Sequence, residues 1–148
     1  MVNDSVNAFV RKDDKLAAEV IATDDQVDRL FEEIKMELME EIAKNPNSSG
    51  SELDVLMIAK YMERIGDHAF DIAKIARDLS GEFAIDVYDT PRLGSCAVRM
   101  IEMAIEAYRT ADIKLAEQVC RADDEMDELF ARTFHQLSAS MGAEPRLT

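Results

Sequence analysis

The sequence predicts an all-α protein, an antiparallel helical bundle built from a repeated helical unit. Three observations carry this. Only five glycines and three prolines interrupt 148 residues, so few breakers stand in the way of long helices. Apolar residues recur at three- and four-residue intervals over long stretches, the period of one helix face. The chain also repeats itself: KLAAEVIATDDQVDRLF from Lys15 matches KLAEQVCRADDEMDELF from Lys114, 99 residues later, with 9 of 17 positions identical. Asp24/Asp123, Asp25/Asp124, Asp28/Asp127 and Phe31/Phe130 are among the matched pairs.

Five helices are expected. A short amphipathic piece covers residues 1–12. A long helix follows over 14–44, carrying Leu16, Val20, Val27, Leu30, Ile34, Leu38 and Ile42 on one face, with Asp13 or Asp14 as N-cap. The composition of Asn45–Ser51, NPNSSGS, reads as a turn. Ser51 with Asp54 resembles a capping box opening a third helix that runs to Ser80, with Gly81 as its stop. Thr90 caps a fourth helix, with Pro91 in its first turn, ending near Ala111. The fifth runs from Asp112 to about Ser140, ahead of a frayed tail. Apolar residues surround most of the third helix, which predicts a central position in the bundle. Phe31 and Phe130 are expected in the core, and the nine methionines as core filler. The second repeat has no counterpart of the third helix and the first helix is short, so about one and a half units are expected. The boundaries are 1–85 for the first unit, 90–140 for two helices of the second, and 141–148 for a tail.

The formal net charge is −14 and the pI near 4.5. Such a surface repels nucleic-acid phosphates and anionic membranes. No apolar run reaches the roughly 20 residues that span a bilayer, and the first residues lack a signal-peptide core, so the expected compartment is the cytoplasm. Cys96 and Cys120 have no metal-ligand spacing. On neighbouring antiparallel helices they differ in height by roughly 12 Å, too far for a disulfide, so two free, buried thiols are expected.

The chemistry lies in acidic stripes. Glu63, Asp67 and Asp71 recur every four residues on the third helix, and Asp24, Asp28 and Glu32 do so on the second, which places each set on one face. Counting from the 45–51 turn, the levels pair as Glu32–Glu63, Asp28–Asp67 and Asp24–Asp71. Two carboxylates about 5 Å apart repel by roughly 3 kcal/mol at an effective dielectric of 20. Cations would relieve that repulsion, as would raised pKa values. An all-oxygen set suits hard or borderline ions. The alternative is that both stripes face solvent. The second helix permits this, because Lys35 and Arg29 can pair with its acids; the third permits it poorly.

The run Tyr61–Ala69, YMERIGDHA, followed by DIA and preceded by a helix of the KLAxxV…DxxxD type, resembles the PhoU family of phosphate-uptake regulators over roughly residues 1–140. The resemblance implies tandem three-helix units, each pairing a DxxxD helix with an ExxxD helix around bound metal. Its first site would be Asp24 and Asp28 with Glu63 and Asp67. Its second would retain only Asp123 and Asp127. Asp71 stands where family members often carry a neutral residue. The ions implied are divalent or trivalent, with iron, manganese, zinc and magnesium as candidates. The role implied is negative regulation of phosphate uptake and phosphate-starvation signalling, by contact with a phosphate ABC transporter ATPase and a phosphate-sensing histidine kinase. A bundle lacking one helix exposes apolar surface, so a homodimer is also expected.

Enzymatic readings fare worse. A carboxylate-bridged di-metal enzyme needs ExxH pairs, and Ile65 and Arg132 precede the two histidines, His68 and His135, at the required position. No GxSxG, Cys–His–Asp or phosphate-loop pattern appears. A metal-free helical interaction module is the remaining alternative.

Overall fold

In the computed structural model, which describes residues 1–79 and 89–143, the chain is a series of α-helices with no strand among the described residues. They are α1 (Val2–Arg11), α2 (Asp14–Lys44), α3 (Ser49–Asp78), α4 (Thr90–Thr110) and α5 (Ile113–Ala143), with a 3-10 turn at Pro46–Ser48. No helix among the described residues is long and apolar enough to cross a membrane. The expected helix stop at Ser80 and Gly81 and the end of the expected tail, 144–148, lie outside the described residues. The chain divides into two compact units, Met1–Gly81 and Glu82–Thr148.

The first unit packs α1, α2 and α3 on one another. Its tightest core is made of small side chains: Ala8, Ala17, Val20 and Ala73 are buried, edged by Met1, Leu16 and Ile21. Small residues bring helix axes close. Gly66 of α3 is the clearest case, since a Cβ there would sit 3.1 Å from Val27 Cγ1 of α2.

The junction of α1 and α2 is a two-residue hinge. Lys12 takes the left-handed conformation at φ 53°. The Asp13 amide donates to Ala8 O (2.9 Å) and the Lys12 amide to Phe9 O (3.4 Å), the paired bonds of a Schellman motif. Asp13 then caps α2, its Oδ1 accepting from the amides of Lys15 and Leu16 at 3.1 and 3.0 Å. The second unit repeats every part of this. Ala111 has φ 52°, the Asp112 amide donates to Ala107 O (3.0 Å) and the Ala111 amide to Tyr108 O (3.3 Å). Asp112 Oδ1 accepts from Lys114 and Leu115. The 99-residue repeat is thus carried by the backbone as well as by the side chains. An L-residue with a Cβ is strained in this region, so Ala111→Gly is expected to stabilise the chain by about 0.5–1 kcal/mol, read as a raised denaturation midpoint.

In the second unit α4 packs on α5, burying Ala107, Ala122, Leu129 and Thr133. The opposite side of α5 is open. Phe130 is 60% exposed and Phe134 57%, their rings stacked 6.2 Å apart. Phe130 therefore does not anchor a core as expected, because no α3 equivalent covers it among the described residues. Cys120 is exposed for the same reason, although both thiols are free. Several methionines are also exposed, Met36, Met39, Met57 and Met62 among them, against the expectation of core filler.

Three further expectations are corrected. The third helix opens at Ser49, without a capping box: Ser51 Oγ donates to Ser48 O, and Pro46 starts a 3-10 turn that runs straight into α3. The cap position of α4 is Asp89, one residue before Thr90. And within the first unit α3 packs on α1 and α2, while Leu53, Met57, Tyr61 and Ile75 are exposed among the described residues.

Candidate metal centre

The α2–α3 hairpin brings an acid cluster together. Carboxylate oxygens of Asp28, Glu63 and Asp67 all lie within 4.8 Å of one another. The register follows from where the helices end. Asp28 stands 16 residues before the last residue of α2, while Glu63 and Asp67 stand 14 and 18 after the first residue of α3. Asp28 therefore sits level with the gap between the two α3 acids. The close approach at Gly66 and Val27 brings the two helix backbones near one another beside the cluster.

Glu63 is the most enclosed member, with its side chain 13% exposed. Its Oε1 accepts from Lys60 Nζ at 2.5 Å. Its Oε2 is buried and has no hydrogen-bond partner. A buried carboxylate oxygen without a donor is costly. The carboxylate geometry around it is of the kind a cation completes: three converging oxygens with no nitrogen or sulfur among them.

Asp24 joins the cluster electrostatically. Burial raises its pKa above 3.8, and the charges of Asp28, Asp67, Asp25 and Glu63 raise it further. A carboxyl with a raised folded pKa contributes stability that is complete below the unfolded value and is lost as pH rises through the folded one. Metal-free protein is therefore expected to lose stability as pH climbs through that window. Asp24→Asn should flatten the loss, which thermal melts of chelated protein across acid to neutral pH will show.

Lys60 went unnoticed in the sequence. Its ammonium pairs with Glu63 and lies 5.1 Å from the Phe31 ring centroid. The Lys60/Glu63 spacing of three residues was the available signal. One ammonium offsets only part of the charge of four acids.

Not every expected residue joins. Glu32 turns away and pairs with Lys35 at 2.9 Å on the exposed face, and Asp71 lies outside the cluster. The six-acid seam contracts to Asp28, Glu63 and Asp67, with Asp24 coupled to them electrostatically. In the second unit Asp123 and Asp127 stand exposed on α5, and no third acid converges on them among the described residues.

The PhoU domain model matches residues 1–76 and 90–148. The chain belongs to the PhoU family. PhoU-family relatives include a phosphate-specific transport system accessory protein PhoU homolog of Clostridium acetobutylicum. It is 30% identical over 92% of this chain and 64% of that protein. PhoU homolog 2 of Thermotoga maritima is 27% identical over 99% of this chain and 64% of its own length. The crystal structure of PhoU from Pseudomonas aeruginosa superimposes with a TM-score of 0.91 at 29% identity, covering 98% of this chain and 72% of that one. The chain thus spans less than two thirds of the curated relatives' length. The all-α bundle read from the sequence agrees with this PhoU neighbour.

Proposed function

We propose that this chain is a cytoplasmic accessory regulator of a phosphate-specific transport system that acts by contact and not by catalysis, with a metal ion held by carboxylates between α2 and α3. The observation that carries the metal reading is the Asp28–Glu63–Asp67 cluster with its unpartnered, buried Glu63 Oε2. Asp24, Asp28, Glu63 and Asp67 would supply oxygen ligands to a divalent or trivalent ion; iron, manganese, zinc and magnesium all accept such donors. The ion would fix α2 on α3 by neutralising their repulsion. Asp123 and Asp127 occupy the equivalent positions of the second unit and would offer half a set.

The relatives named above are accessory proteins of phosphate-specific transport systems, which supports the accessory role; the regulatory reading follows the family resemblance. The partners proposed are the transporter ATPase and a phosphate-sensing histidine kinase. A surface with net charge −14 suits basic patches on either. No binding to either partner at low salt would count against the reading.

Elemental analysis after chelator-free purification, beside Asp67→Ala, tests the site. At least one metal ion per wild-type chain is expected, and its loss in the variant with helix content retained. Metal absent from both, or present equally in both, would refute the site and leave a metal-free helical interaction module.

A further inference from the structure

The second unit holds a basic cleft in a chain of net charge −14. Arg92, Cys96 and Arg99 of α4 line it together with Glu125, Glu128 and Arg132 of α5, around a volume of about 580 Å³. Leu129 also lines it and is buried. The cleft lies wholly within this unit.

One ion pair sets the register of its charges. Arg99 Nη2 meets Glu125 Oε2 at 3.8 Å. Seven residues are two turns of helix, so they return to nearly the same bearing about 10 Å along the axis. Seven residues before Arg99 stands Arg92, and seven after Glu125 stands Arg132. On antiparallel helices these two arginines therefore share one level. Neither has an ion pair or hydrogen bond among the described residues, and neither does Glu128, one turn before Arg132. Two guanidiniums facing each other repel. A bound anion turns that repulsion into attraction, and the planar donor fork suits a tetrahedral oxyanion. The arrangement belongs to the second repeat alone: Arg132 aligns with Glu33, and Glu128 with Arg29.

We propose that this cleft binds inorganic phosphate, as the hydrogen phosphate dianion, with Arg92 and Arg132 donating to its oxygens and Glu128 accepting from its O–H. The carboxylate is the selective element. Hydrogen phosphate keeps a proton at neutral pH and can donate it in a hydrogen bond to Glu128. Sulfate has none to give, and a phosphate monoester loses its last proton near about pH 6, so Glu128 repels both. The site is separate from the acid cluster between α2 and α3 and needs no metal there.

Equilibrium dialysis of the full chain against radiolabelled inorganic phosphate, at fixed ionic strength and about pH 8, where monoesters are dianions, is the test. A saturable site that persists in Asp67→Ala is expected. Sulfate and glycerol phosphate should each compete at least about 10-fold less well than unlabelled phosphate. Arg92→Gln and Arg132→Gln should each weaken phosphate at least about 10-fold. Both side chains are exposed, so circular dichroism should not change. Glu128→Gln should close the gap between phosphate and sulfate. Arg109→Gln, an exposed arginine outside the cleft that pairs with Glu106, should leave binding intact. No saturable binding, binding lost in Asp67→Ala, equal competition by sulfate or glycerol phosphate, or equal loss in Arg109→Gln would overturn the proposal.

Discussion

Replacing Gly66 by leucine is expected to separate α2 from α3 and to destroy the acid cluster. A methyl group at this position already meets Val27 Cγ1 at 3.1 Å, tighter than ordinary contact. A leucine adds three more carbons in the same direction, between two helices that are each 30 residues or longer. The helix propensity gained by removing a glycine is about 0.8 kcal/mol. Overpacking costs about 1–3 kcal/mol where neighbours can yield, and here the neighbour is a β-branched side chain with one preferred rotamer. The steric term therefore wins, and net destabilisation of about 2 kcal/mol is expected from chemical denaturation. On the proposed metal reading, the same variant should bind no metal although every carboxylate remains. Unchanged metal content in Gly66→Leu would show that the backbone approach does not set the ligand geometry.

Chelation is expected to have the second large effect. A ligand that binds only the folded state at 100 times its dissociation constant stabilises by about 2.7 kcal/mol. For a unit of this size the melting temperature should fall by roughly 10–20 °C on metal removal. The apo protein should recover part of that loss on acidification, in the direction set by Asp24, because protons then do some of what the cation does. Glu63→Gln should abolish the difference between chelated and metal-loaded melts. It removes a ligand charge while leaving an amide that can still meet Lys60. A chelation shift that survives in Glu63→Gln would place the metal elsewhere.

The fold was legible because its signals are local and repeated. Period-3.6 patterning, the Asp13 and Asp112 caps and the duplicated segment all act within a few turns of chain, and α1, α2, α4 and α5 follow the expected ranges closely. The expected Ser51 cap failed for a physical reason: Pro46 can open a 3-10 turn, so the chain enters α3 without needing a side-chain cap. That shift moved the acid pairing by half a level. Glu32 and Asp71, both correctly spaced along their own helices, nevertheless miss the cluster, Glu32 pairing with Lys35 on the exposed face instead. Spacing along one helix fixes a face, but the level at which two helices meet depends on the turn between them. Lys60 was missed because a lysine beside a glutamate usually marks a solvated surface, and only burial of Glu63 distinguishes this pair. Phe130 misled in the opposite way. Its match to Phe31 was real, yet burial depends on what lies across the helix, and sequence identity within α5 says nothing of that.

The hinge at Lys12 and Asp13 works as a gear between backbone and chemistry. Asp13 ends one helix and starts the next with no slack, and Asp24 follows it by 11 residues, as Asp123 follows Asp112 in the second unit. One residue inserted into that interval would swing Asp24 and Asp28 about 100° around the axis of α2, whereas seven would return them nearly to their bearing, two turns further along. The length of this stretch is thus held to the helical period, while its buried Ala17 and Val20 are held by the core, so only its exposed positions can change freely.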